Sequence, residues 1–156
     1  MTSSAQINQV QVLELSLHGE LVGYLAGFNN GRNVLTFAET FRDNPDRPTF
    51  SLITHPYFPR VERTVSEHWV SHQRLHPTLS NLLPEGALRE LIAQHKKIHI
   101  DDEFHIFSYL GQDLPGAIVA RPMQPEEVPE NVLSTHGKAK AVEFHTEDGE
   151  NKFSLA

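Results

Sequence analysis

A chain of 156 residues with 38% hydrophobic content is long enough for one domain, or two small ones, around a real core. It contains no cysteine, which excludes disulfides and thiol catalysis and fits a reducing compartment. A net charge of −7 and a pI near 5.8 argue against a surface built to grip phosphate backbones, and no Lys/Arg-rich run relieves this, so no direct nucleic-acid contact is expected. The polar start MTSSAQINQ lacks a secretory signal, and no run of about 20 apolar residues occurs, so a soluble, cytoplasmic protein with no membrane association is expected.

The first half reads as strands. VQVLELSL (10–17) alternates close to a period of two, and His18-Gly19 reads as the hairpin turn into GELVGYL. NNGR (29–32) is a turn, because Asn and Gly adopt positive φ at low cost. NVLTFAE (33–39) is a third strand, RDNPDRP (42–48) a loop, and TFSLIT (49–54) a fourth strand. For residues 55–78, a short helix from about Ser66 to Leu75, capped by Ser66, and an extended partner-facing loop both fit.

Helices follow. In LSNLLPEGALRELIAQ (79–94), Pro84 is expected at the first position of a helix, where its missing N–H has no partner to lose. Gly86 falls in the first turn, and Leu88, Leu91 and Ile92, with His95, form the apolar face. Leu79 to Leu83 then forms a short preceding turn, and the two segments meet at a corner set by Pro84. IDDEFHIFSYLGQD (100–113) is a second helix, capped by Asp101 or Asp102, faced by Phe104, Ile106, Phe107 and Leu110, and ended by Gly111. LPGAIVARP (114–122) turns at Pro115-Gly116 into a buried strand. Residues 124–138 are rich in Pro and Glu and read as a linker, after which two short strands flank EDGEN. The fold class is therefore α+β: a small, meander-like antiparallel sheet, two helices and a further strand. The chain divides into a domain over 1–123, a linker and variable segment over 124–148, and a closing piece over 149–156.

Ten histidines invite a metal site, and His68, His72 and His76 would share one face of a helix. Pro77 disfavours helical geometry at His76, and Glu67 is the lone carboxylate nearby, so no metal is expected. His95, His99 and His105 read as solvent-facing or hydrogen-bonded at helix edges. No catalytic residue emerges, because G-x-S-x-G, H-E-x-x-H and a complete phosphate-binding loop are all missing. HTEDGENKF lacks the alternation of acidic residues that a calcium loop needs. The single tryptophan, Trp69, is either a core or lid residue or an anchor presented to another protein. Tyr57, Phe58 and Arg60 would extend such a contact patch.

Two motifs carry a family resemblance. Asn81, Leu82, Leu83, Pro84, Glu85 and Gly86 form an N-L-L-P-E-G run. Phe104, Leu110, Gly111, Asp113, Pro115, Gly116 and Ala117 then follow the D-x-F-x-L-L and G-R-D-x-x-G-A pattern, with Gln112 in place of the usual Arg. Together with GELVGYL near the start, this resembles the N-terminal region of HipA-type serine/threonine kinases. The closing NKFSLA is similar to the family's R-x-S-[LV]-A-G segment and places Ser154 on the serine that is autophosphorylated there. The resemblance implies a non-catalytic subdomain that packs on a HipA-like kinase core and helps to contact a HipB-like, DNA-binding antitoxin. ATP and magnesium would belong to the kinase parent or partner, with no cofactor in this chain, since the phosphate-loop glycines and catalytic groups would lie beyond Ala156. The alternative it implies is a stand-alone HipS-like protein that binds and restrains a separate HipT-like kinase.

Overall fold

The computed structural model describes residues 9–28, 31–51, 54–57, 68–133, 142–147 and 150–153. Strand β1 (Gln9–Leu17) turns through His18 and Gly19, both at positive φ (51° and 80°), into β2 (Glu20–Phe28). Positive φ at both central positions is the requirement of a tight hairpin whose twist matches its strands. Gly31, at φ 81°, leads into β3 (Arg32–Phe37), which pairs antiparallel with β2. The rest of the anticipated NNGR turn, residues 29–30, lies outside the described residues.

Chain alternation becomes two adjacent apolar rows across the sheet. Leu13, Leu25, Leu35 and Trp69 face one another from strand to strand, as do Val12, Ala26, Val34 and Val70. All eight are buried, so the sheet is covered on both faces over this stretch. A strand buried on both sides reads as a near-continuous apolar run, which is why VQVLELSL mixes the period of two with adjacent apolar pairs.

Among the described residues of 49–54, namely 49–51 and 54, no strand forms. There Thr54 folds back locally: its N–H and its hydroxyl both donate to the Ser51 carbonyl (3.0 and 2.9 Å), and the Ser51 N–H donates to Thr54 Oγ1 (3.0 Å). Such local side-chain bonds compete directly with a ladder. Strand β4 is instead Trp69–His72, antiparallel to β3, where a helix or an extended loop was anticipated. Between β3 and residue 50 the chain makes a single helical turn, α1 (Glu39–Arg42), that buries Phe41. Phe37 stacks on Phe41 (5.6 Å between centroids) and meets Phe50 edge-on (5.7 Å). Arg47, in what reads as a polar loop, is buried. It donates from Nε to the Thr54 carbonyl (2.9 Å) and from Nη1 to the Arg42 carbonyl (3.0 Å), over the Phe41 ring.

Helices α2 (Pro77–Ser80), α3 (Gly86–Lys96) and α4 (Glu103–Leu110) follow. Helix α4 lies on the leucine-row face, and its closeness is set by Gly27, where a Cβ would overlap the Phe104 ring. Strand β5 (Ile118–Pro122) adds antiparallel to β1. Within the segment read as a linker, residues 124–133 carry regular structure. A 3-10 turn (Pro125–Glu127) and a short α5 (Glu130–Leu133) follow β5, and Val128 and Val132 join the core. The two closing strands form as anticipated, β6 (Val142–Glu147) antiparallel to β7 (Glu150–Phe153). The sheet order is β5-β1-β2-β3-β4-β6-β7, with β6 parallel to β4 through Trp69–Val142 and Val70–Glu143. Among the described residues no helix is long and apolar enough to cross a membrane.

Candidate functional site

The N-L-L-P-E-G run forms the corner between α2 and α3. His76 begins it: its Nδ1 accepts the Thr78 N–H (3.2 Å), capping α2, with Pro77 in the first turn. The imidazole is buried, edge-on to Trp69 (5.2 Å) and near Phe50 (5.8 Å), and this burial pushes its pKa down to about 4. Asn81 ends α2, Leu83 is buried and Leu82 packs against the core. The corner itself falls where expected, but Pro84 is not the first helical residue. Glu85 is the N-cap of α3, extended at φ −117°, and Gly86 opens the helix at φ 60°. Gly86 therefore serves the backbone; a Cβ there would meet open space, so only its left-handed φ demands glycine.

Behind the corner sits a buried carboxylate. Glu103, 3% exposed, accepts the Leu75 N–H on Oε2 (2.8 Å) and the Ser80 hydroxyl on Oε1 (3.0 Å), with Arg89 Nη2 at 3.5 Å. Arg89 also donates from Nε to the Ile100 carbonyl (2.9 Å). One side chain thus ties the exit of β4, α2, α3 and α4 together. In sequence Glu103 is one more acidic residue in a helix's first turn, so nothing singled it out. In front of this knot lies a cleft of about 580 Å³ lined by Arg74, Glu85, Gly86, Arg89, Asp101 and others.

The G-x-D-x-x-G piece is likewise scaffolding. Gly111 caps α4 at φ 26°, donating to the Phe107 carbonyl (2.9 Å) and accepting from the Ala120 N–H of β5 (3.0 Å). Asp113 turns back to the Leu110 carbonyl through its N–H (2.6 Å), and Gly116 takes φ 90° in the turn before β5. Asp102, rather than Asp101, caps α4 by accepting the His105 N–H (3.3 Å).

Of the four candidate contact residues, Trp69 and Tyr57 lie among the described residues. Trp69 is 5% exposed at the end of the leucine row, so the structure corrects the anchor reading and makes it a core residue. Tyr57 is 92% exposed, whereas Phe58 and Arg60 lie outside the described residues, as does Ser154. The three spaced histidines are on no helix face. His68 bonds Thr36 Oγ1 (2.9 Å), His72 is exposed at the end of β4, and His76 caps α2. Burial, then the nearby Arg42 charge, lower the His68 pKa. Among the described residues no group of three or more His, Asp or Glu converges as metal ligands. Leu88 and Leu91, expected in the core, are exposed (56% and 62%), and Ile92 and Ala93 take the inward positions.

The family description HipA N-terminal domain matches residues 13–121, from within β1 to within β5. The chain belongs to the HipA N-terminal domain family. It is also 31% identical over 149 residues to a Sinorhizobium fredii (strain NBRC 101917 / NGR234) protein named "Putative kinase Y4dM", a match covering 94% of this chain and 36% of that protein. The chain thus spans about a third of that relative's length. In this HipA N-terminal domain the family motifs build the α2–α3 corner and the α4–β5 connection.

Proposed function

We propose that this HipA N-terminal domain is a non-catalytic, partner-binding domain of a HipA-like toxin–antitoxin kinase system. It packs on a serine/threonine kinase core, in the same polypeptide or a separate one, and contributes to contact with a HipB-like antitoxin. The observation that carries this reading is the double match: a family unit over residues 13–121, and a relative bearing a kinase name in which the matched part is 36% of the length. Phosphoryl transfer needs several positioned groups to clamp phosphates and magnesium. The sequence holds no complete phosphate-binding loop, so ATP and magnesium are assigned to the kinase core. Ser154 is assigned, by its place in NKFSLA, as a phosphorylation site of that system.

The test uses the purified chain and a HipA-like kinase core from which its own N-terminal domain has been removed. Calorimetry is expected to show a complex between the two, and no heat when the chain alone is titrated with ATP and magnesium. Absence of a complex, or ATP turnover by the isolated chain, overturns the proposal.

A further inference from the structure

A second cavity, of about 510 Å³, is lined by Leu21 and Tyr24 of β2, by Ala38 and Glu39 where α1 begins, and by Pro129 and Glu130 where α5 begins. That volume lies within the range of sites that hold a small molecule or a large side chain. Both flanking turns are anchored, because Phe41 of α1 and Val128 and Val132 around α5 are buried in the core.

Tyr24 is 9% exposed, and a tyrosine hydroxyl buried to this degree ordinarily finds a partner. Among the described residues its hydroxyl has none. It is not walled in by protein either, so it opens to the cavity. Burial, then the charge of Glu14 opposite it in β1, push the Tyr24 pKa up, and the phenol keeps its proton. The two carboxylates are likewise not used up by the fold. Glu127 makes the contrast: it accepts the Gln124 N–H (2.9 Å) and faces Arg121 (3.5 Å). Glu130 has no cation beside it among the described residues. Glu39 meets Arg42 at 3.6 Å, but its side chain is 77% exposed, and water screens such a pair to little effect.

Two carboxylates, an open phenol oxygen and the apolar surface of Leu21, Ala38 and Pro129 select a cation with an apolar stem. An anion is repelled here. A bare divalent ion lacks ligands, since among the described residues no group of three or more His, Asp or Glu converges. A guanidinium on its aliphatic stem meets both demands, and its five donors serve acceptors on separate walls better than the three of an ammonium. The chain's net charge of −7 favours the approach of a basic partner.

We propose that this cavity receives an arginine side chain of a basic partner protein, its stem against Leu21, Ala38 and Pro129 and its guanidinium bonded to Glu39, Glu130 and the Tyr24 hydroxyl. This rests on reading the chain as a partner-binding domain, and names one point of contact.

The experiment is an amide-resolved NMR titration of the whole chain with a short blocked alanine peptide carrying one central arginine. Its twin carries citrulline, which keeps the shape and loses the charge. The arginine peptide is expected to shift Leu21, Tyr24, Glu39 and Glu130 and to bind about tenfold tighter than its twin, a margin that shrinks with salt. Glu130→Gln, isosteric at an exposed position, is expected to weaken binding about fivefold. Tyr24→Phe is expected to weaken it about threefold and to leave the urea midpoint unchanged, because the hydroxyl holds nothing within the fold. Equal binding of the two peptides, shifts elsewhere, no shifts, unchanged affinity in both variants, or the same shifts produced more tightly by calcium would each overturn the proposal. A chain that binds the kinase core but ignores the arginine peptide refutes this cavity alone; a chain that binds neither refutes the functional reading as well.

Discussion

His76 should make this domain acid-sensitive in a specific window. Its ring is buried, and Nδ1 must stay unprotonated to accept the Thr78 N–H. Burial holds its pKa at about 4, against 6.5 for a free histidine. Between these values the unfolded chain binds a proton that the folded chain does not, so folding stability falls as pH falls from about 6.5 to about 4. Each pKa unit corresponds to about 1.4 kcal/mol, and the full gap corresponds to about 3 kcal/mol. Between pH 7 and pH 4.5 the loss from this one group works out at about 2 kcal/mol, a large share of a typical domain's 5–15 kcal/mol. The assay is urea denaturation at both pH values for the natural chain and for His76→Asn, which keeps a capping oxygen but cannot titrate. Carboxylates contribute equally to both proteins, so the natural chain should lose about 2 kcal/mol more than the variant over that interval. Equal losses, or an NMR titration of the His76 ring with a midpoint near 6.5, would refute the reasoning.

Three further expectations concern the scaffold. Glu103→Ala strands the Leu75 N–H, the Ser80 hydroxyl and the Arg89 charge, and should cost about 3–5 kcal/mol in chemical denaturation. Trp69→Ala should cost about 3–5 kcal/mol through the cavity left in the leucine row; unchanged stability with loss of kinase-core binding would restore Trp69 as a contact residue. Gly86→Ala should cost about 1–2 kcal/mol from the left-handed φ alone, as space is open there, and a neutral result by thermal melting would place the backbone elsewhere.

Much of the architecture was legible because local rules and packing agree. His18-Gly19 meets the φ demands of its hairpin, Asp102 and Gly111 punctuate α4, and alternation finds β1 to β3. The failures have distinct causes. TFSLIT has a strand's composition, but Ser51 and Thr54 satisfy each other locally, so the fourth place in the sheet passed to WVSH. In α3 both {Leu88, Leu91} and {Ile92, Ala93} satisfy helical spacing, and periodicity alone does not say which stripe meets the core. The corner motif was found as a pattern. Its role in shaping the backbone at Gly86, and the buried Glu103 that holds the helices behind it, depend on contacts between residues far apart in the chain.

The outer flank of β5 is sealed against further pairing. At Ala120 the N–H that points away from β1 is taken by the Gly111 carbonyl, and Pro122, two residues on, has no N–H to offer. Such an edge gives an incoming strand little to grasp. Growth of this sheet, whether by a fused neighbour or by unwanted fibre formation, is thereby steered to the opposite border, where β6 and β7 already extend the sheet beyond β4.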